Sequence, residues 1–248
     1  MDNATYVALS RASALERNLD VTANNIANAN TAGFKAEHAV FEAYVERQRH
    51  ADVEDSVSFV VDGGSFVDLA QGGLEVTGAP LDLAIEGPGW FAYQGPGGRT
   101  VYGRDGALAV DGAGRIVTRS GAAILDQGGG AFQIPQGADG LAIARDGTVS
   151  DAGGSILGRI GVFAAPDIQS YSRIGNGFFA APEGAAPALT PAPGAAVVQG
   201  ALETSNVNAV AEMTRLIELH RAYEHALKVA ETKSDLTGNT LRRLGQDV

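Results

Sequence analysis

The sequence predicts an α+β fold. N- and C-terminal helices pair as an α-helical coiled-coil domain, and a central, mainly antiparallel β domain, an open barrel or meander, lies between them in the chain. Three observations point there. All nine prolines of the 248 residues fall between Pro80 and Pro193, and 30 of the 33 glycines fall between Gly63 and Gly200. A long helix excludes both residues, glycine through backbone entropy and proline through its missing N–H. Both ends carry apolar positions spaced alternately by three and four, whereas the middle has short β-type runs between turn clusters. The expected boundaries are residues 1–35 for the N-terminal helix and 36–70 for an extended or β connecting segment. The β domain then spans 71–200 and the C-terminal helix 201–248.

In the N-terminal arm the stripe is Thr5, Ala8, Ala12, Leu15, Leu19, Thr22, Ile26 and Ala29, an a/d pattern with several small residues. Asp2 or Asn3 can cap its start and Gly33 can stop it. A helix over residues 3–30 is about 42 Å long at roughly 1.5 Å per residue. The C-terminal stripe reads Met213, Leu216, His220, Tyr223, Leu227, Ala230, Ser234, Thr237, Leu241 and Leu244. Asn206 or Asn208 suits its N-cap, Glu212 its first turn, and Glu224–Lys228 is an i,i+4 pair in the favourable order. Polar residues interrupt both stripes. Each is more easily satisfied by packing on the other arm and on neighbouring copies than as a solitary coiled coil.

Between the arms, Val57–Val61 is a β-branched run, Leu81–Ile85 alternates, and Gly87–Phe91 turns into a further strand. Residues 104–117 form a hairpin signature with Asp111, Gly112 and Gly114 at the turn, and a related unit recurs at 145–157. The Ala/Pro-rich stretch 180–196 reads as a loop or extended linker.

Composition removes several function classes. With no cysteine, disulfides, zinc–thiolate sites, iron–sulfur clusters and thiol nucleophiles are excluded. No apolar run approaches the roughly 18 residues of a membrane span, and the first residues lack the pattern of a cleaved secretory signal. The net charge of −11 argues against nucleic acid and against anionic bilayers.

Catalytic patterns are missing too. His38, His50, His220 and His225 fit no H-E-x-x-H arrangement and read as surface or interface residues. Asp105, Asp111, Asp146 and Asp151 lie beside glycines as calcium-loop aspartates do, yet their spacing suits hairpin turns better. The glycine clusters match no phosphate loop, and neither G-x-S-x-G nor S-x-x-K is present. No carboxylate pair is singled out. The expectation is therefore no catalytic residue, no cofactor and no metal, with a cell-wall-acting enzyme bearing helical arms as the remaining alternative.

What stands out is polar. Ala23–Lys35 reads ANNIANANTAGFK, four asparagines within seven residues at a helix end. Asparagine is a mediocre helix former, but its amide donates and accepts at once and can fix register when buried. A frayed helix end would explain Asn30 but not Asn24, Asn25 and Asn28. A second dense stretch is Ser205–Asn208 with Glu212–Met213 and Arg221–Glu224, of which Arg221 and Tyr223 also suit ordinary surface and core positions.

Here the sequence resembles a known family. ANNIANANTAGFK is similar to the N-terminal signature of the bacterial flagellar rod and hook axial proteins. QGGLEVTGAPLDLAIEGPGWF (71–91) is similar to their central block, and QGALETSNVN (199–208) with EMTRLIELHRAYE (212–224) to their C-terminal one. The opening residues and EHAVFEAYV (37–45) look most like the proximal-rod members, with the distal-rod members second. Trp90 stands where phenylalanine is commoner, and 121–196 matches weakly.

The resemblance implies a structural subunit. Its terminal helices form an inner coiled-coil domain, and copies stack helically around the export channel to transmit torque. Such contacts are heterologous and open-ended. The implied partners are further copies, the other rod subunits (inner proximal and distal) and the flagellar type III export apparatus; contact with surrounding ring proteins stays open. The implied location is the periplasmic rod of the basal body, reached without a cleaved signal peptide, with no nucleic acid and no membrane insertion. The arms are expected to leave their stripes unburied in a lone chain and to order on assembly. The residues carried over as the assembly interface are Leu15, Leu19, Asn24, Asn25, Ile26, Asn28, Thr31, Gly33 and Phe34 from the first block. From the second come Asn206, Asn208, Glu212, Met213, Leu216, Ile217, Arg221, Tyr223 and Leu227. Asn28→Ala, Phe34→Ala and Ile217→Asp are expected to abolish assembly and leave the β core folded.

Overall fold

A computed structural model describes residues 3–50, 53–135, 137–138 and 140–244. Two compact units emerge. Unit 1 draws on Met1–Ala27, Glu37–Asp68 and Val207–Val248, and unit 2 on Asn28–Ala36 and Leu69–Asn206.

Unit 1 contains helix α1 (Asn3–Ala27), a hairpin of β1 (Glu37–His50) and β2 (Val53–Val67), and helix α2 (Ala209–Leu244). The hairpin is antiparallel, from Glu37 opposite Val67 to His50 opposite Val53, with a register shift between Ala39 and Phe41. Helix α1 packs against α2, β1 and β2. Its stripe is covered within the single chain: Ala8, Ala12 and Thr22 are buried, and Leu15, Leu19 and Ile26 are half-buried. That corrects the expectation of an unburied stripe. The physical reason is the hairpin, which supplies a third packing surface where an extended or β connecting segment was expected.

Helix α2 turns inward a face that takes in only part of the stripe its spacing suggested. Ala226 is buried and Leu216, Leu219, Tyr223 and Ala230 are half-buried, whereas Met213, His220 and Leu227 are exposed. The helix begins at an Asn208 cap, whose side-chain oxygen accepts from the Ala211 amide at 3.1 Å. Helix α1 stops at Ala27, three residues short of the expected end, so Gly33 lies beyond it and serves another purpose described below.

Unit 2 is mainly β, its strands paired antiparallel, with short 3-10 turns at Pro96–Gly98 and Ile168–Ser170. The first are β3 (Leu74–Val76), β4 (Leu83–Glu86), β5 (Trp90–Gln94), β6 (Thr100–Gly103), β7 (Leu108–Val110), β8 (Ile116–Thr118) and β9 (Ala123–Ile124). Then come β10 (Ala142–Ile143), β11 (Thr148–Ser150), β12 (Ile156–Arg159), β13 (Val162–Phe163), β14 (Ser172–Arg173), β15 (Phe179–Ala180), β16 (Ala196–Gln199) and β17 (Ala201–Glu203). Eight strands share one open sheet, ordered β14-β15-β6-β5-β9-β8-β7 with β13 also on β5. Strands β10-β11-β12 form a second sheet, and β16 pairs with β4 and β17 with β3. Leu83, Ile85, Phe91, Tyr93, Val101, Ile116, Ile124, Ile160 and Val197 make the core.

The expected hairpins are β7–β8 and β11–β12, and their aspartates act as turn acceptors. Asp111 Oδ1 accepts from the Ala113 and Arg115 amides at 2.8 and 2.9 Å. Asp151 Oδ1 accepts from Ser155 at 2.8 Å, and Asp126 Oδ1 closes the same five-residue turn on Gly128 and Gly130. The Arg115 amide, with the guanidinium beside it, holds the Asp111 carboxyl below its ordinary range, and the Thr148 amide and hydroxyl do the same for Asp146.

Asp105 goes the other way. Burial pushes its carboxyl up and the charge of Asp82 adds to that, against the Ala107 amide and Arg119. The folded state thus binds this proton more tightly than the unfolded chain. The group's stabilising contribution is complete below the ordinary carboxylate value and is lost as pH rises through the raised folded one. Asp105→Asn, which keeps an acceptor for Ala107, should therefore raise the melting temperature at pH 7 and leave it unchanged near pH 3, read by circular dichroism.

Candidate assembly interface and its anchor

The asparagine-rich block divides between the two units, and the first part belongs to unit 1. Asn25 is buried on α1 and clamps the first residue of β1 in both directions. Its side-chain oxygen accepts from the Glu37 amide at 3.0 Å and its NH2 donates to the Glu37 carbonyl at 2.8 Å. The same NH2 lies 3.5 Å from a carboxylate oxygen of Glu212 on α2. One amide thereby ties together α1, β1 and α2, the register-fixing role expected of a buried asparagine. Asn18, two turns earlier on the same face of α1, accepts from Arg215 at 3.4 Å. Asn24 is exposed.

The second part is the segment 28–36 of unit 2. The Thr31 hydroxyl bonds the Asn28 side-chain oxygen at 3.2 Å, and the Phe34 amide donates to the Thr31 carbonyl at 3.3 Å. This compact turn delivers Phe34 and Lys35 inward, where both are at most 2% exposed. Residues 33–36 run beside 203–206: the Gly33 amide donates to the Glu203 carbonyl at 2.7 Å and the Asn206 amide to the Phe34 carbonyl at 3.3 Å. The Ala36 amide reaches the Asn206 side-chain oxygen at 2.7 Å. Gly33 has φ +66°, and a Cβ there would overlap the Arg104 carbonyl group. Only glycine permits this approach.

At the centre sits Glu203 of β17, its side chain wholly buried. Its carboxylate accepts from Lys35 Nζ at 2.6 Å and Arg104 Nη1 at 2.9 Å, and also from the Gly72 amide at 3.0 Å. Two cations thus face one anion. Backbone carbonyls carry the excess positive charge: Ala70 accepts from Lys35 at 2.7 Å and Gly87 from Arg104 at 2.7 Å. An aromatic chain closes the circuit. Arg104 lies 5.5 Å from the Trp90 ring centre, Trp90 meets Phe179 edge-on at 5.4 Å, and Arg173 lies 5.1 Å from Phe179 and 4.5 Å from Phe34. Arg173 also donates to the Lys35 carbonyl at 2.6 Å. Phe34, Arg173, Phe179, Trp90, Arg104, Glu203 and Lys35 form a closed ring of side chains.

The eighteen residues expected at the interface therefore have different settings. Asn25, Gly33 and Phe34 are buried inside the chain, and Leu15, Leu19, Ile26, Asn28, Thr31, Asn206, Glu212, Leu216 and Tyr223 are half-buried. Asn24, Asn208, Met213, Ile217, Arg221 and Leu227 face solvent. Phe34 is buried in the β unit but lies outside its core cluster, so Phe34→Ala acts first on the segment 28–36. The exposed apolar residues of α2 include Val210, Met213 and Ile217 at spacings of three and four, a single ridge facing away from Leu219, Tyr223 and Ala226.

Lys35, Arg104, Arg173 and Glu203 escaped the sequence reading. A signal existed for Glu203, because Ala201 and Glu203 share one face of a strand and Ala201 points inward. Arg173 carried none. Among the described residues no three His, Asp or Glu side chains converge as metal ligands, and no helix is long and apolar enough to cross a membrane.

Comparison with known proteins agrees with this geometry. Three family models match the chain in order: "Flagella basal body rod protein" over residues 6–35, "Flagellar hook protein FlgE/F/G D1 domain" over 84–151, and "Flagellar basal body rod FlgEFG protein C-terminal" over 198–243. The flagellar basal-body rod protein FlgF of Caulobacter vibrioides is 40% identical over 247 residues, covering 99% of both chains. FlgF of Mesorhizobium japonicum is 36% identical over 257 residues, again 99% of both. FlgG of Agrobacterium fabrum is 33% identical over 271 residues, 97% of this chain and 99% of the relative. The chain belongs to the flagellar basal-body rod protein family. Within that family it is most like FlgF, a structural rod subunit of the basal body and not an enzyme.

The charge arrangement yields a direct contrast. Glu203→Gln leaves Lys35 and Arg104 buried without their carboxylate and should cost about 3–5 kcal/mol. Lys35→Met keeps the apolar stem and leaves a balanced Arg104–Glu203 pair, so it should cost less than half as much. Urea unfolding of the full-length variants measures both.

Proposed function

We propose that the chain is a proximal-rod subunit whose α1 and α2 pair as the inner coiled-coil domain and polymerise helically around the export channel, transmitting torque. The observation that carries this reading is the α2 ridge of Val210, Met213 and Ile217, apolar and exposed while the opposite face of the helix is covered. Apolar side chains in register on an exposed helix face are what a neighbouring helix covers in a bundle. Helix α1 adds exposed Tyr6 and Leu9. Partners follow from the family: further copies of this chain, the inner proximal rod proteins, and FlgG beyond them. The chain takes its place in the basal-body rod after export through the flagellar type III apparatus.

The interface then comprises the exposed members Met213, Ile217, Arg221, Leu227, Asn24 and Asn208. The buried members, Asn25 and Phe34 above all, shape the subunit that presents them. A distal position is the second reading, favoured by the full-length likeness to FlgG.

Met213→Asp and Ile217→Asp should leave folding stability within about 0.5 kcal/mol, as at other surface sites. Each should abolish swimming in a strain lacking the wild-type gene and remove the protein from isolated basal bodies, scored on soft agar and by immunoblot. Wild-type motility in both would sink the assembly surface. Cryo-electron microscopy of the rod separates the positions: a short tier gives proximal, and repetition along the long segment gives distal.

A further inference from the structure

We propose that residues 28–36 are a strap that opens and closes on an already folded β body, a latch built into unit 2. Every strand of unit 2 comes from residues 74–203, and the strap supplies none. It contributes to the unit from outside the continuous stretch Leu69–Asn206, so its withdrawal breaks no β ladder.

The charges favour reversibility. Without the strap, Arg104 and Glu203 remain as a balanced pair, with Gly72 and Gly87 still bonded to them. Closing adds Lys35 and makes the site cationic by one charge, an arrangement compensated by backbone carbonyls instead of a second carboxylate. Opening returns Lys35 to water and leaves Arg104 and Glu203 paired in the body. The burial of Phe34, its stacking on Arg173 and the Lys35–Glu203 ion pair hold the strap shut. The seated strap fits closely, because Gly33 passes the Arg104 backbone with no room for a Cβ.

Its place in the chain gives the latch a consequence. Helix α1 precedes the strap and β1 follows it directly. Opening therefore frees the chain path between them from unit 2 while the sheets persist, and lets those elements exchange partners before the subunit locks. This last step rests on the assembly reading; the opening itself does not.

Native-state hydrogen exchange on the full-length soluble chain, read by NMR, tests the latch without requiring rods to form. The amides of Gly33, Ala36 and Asn206 should share one opening, with protection at least about tenfold below that of Leu125 and Phe132 in the sheet and a shallower denaturant dependence. The Gly72 amide, bonded to Glu203, should stay with the sheet group. Phe34→Ala should lower strap protection by about a hundredfold or more and leave Leu125 and Phe132 unchanged. Equal protection and equal slopes in both groups overturn the proposal. So does a Phe34→Ala chain in which the sheet amides lose protection together with the strap.

Discussion

A single carboxylate organises the β unit. Glu203 lies beyond the reach of water and is tolerable there only because Lys35, Arg104 and the Gly72 amide all donate to it. Each donor comes from a different stretch of chain: the segment after α1, the turn after β6 and the approach to β3. A buried carboxylate with three donors favours the arrangement in which all of those stretches meet on it. The aromatic members of the ring then hold the cations in place by their faces, with Trp90 and Phe179 joining Arg104 to Arg173.

Unit 1 uses a neutral device for the same purpose. Asn25 satisfies both backbone groups of Glu37 and reaches Glu212, so α1, the start of β1 and the start of α2 are fixed by one side chain. Neither device makes chemistry available to a substrate. Asp105 and the turn aspartates likewise spend their hydrogen-bonding capacity on the backbone. A protein built this way presents surfaces, and its outward α2 ridge is the apolar surface with helical spacing.

Much of this was legible in the sequence. Glycine and proline distribution separated the helical ends from the β middle, and the 3–4 stripe of α1 named the side chains that turn inward. The Asp-Gly clusters located the β7–β8 and β11–β12 turns because turn chemistry is local. The phase on α2 was legible in part: of the stripe stepped from Met213, Leu216, Tyr223 and Ala230 lie on the covered side with Leu219 and Ala226, while Met213, His220 and Leu227 are exposed. Both faces carry apolar residues, so periodicity alone could not rank them, and contact with α1 decided. The hairpin at 37–67 was read as an extended or β connecting segment because its strands lack strict alternation. The ring was hidden for a different reason. Its members are spread from residue 34 to residue 203, and a buried ion pair of such separation leaves no trace in local pattern. GFK drew notice as a family signature, without any hint that the phenylalanine and lysine point inward together.

The most direct test of Glu203 as the organising charge is a double-mutant cycle with Lys35, measured by urea unfolding of the full-length chain. In the wild-type background Lys35→Met should cost stability. In the Glu203→Gln background the same change removes a buried cation that has lost its carboxylate and should restore stability, a coupling of about 1–3 kcal/mol with a reversal of sign. Additive effects, within about 0.5 kcal/mol, would mean that Lys35 and Glu203 act independently and that the carboxylate does not hold the segment in place.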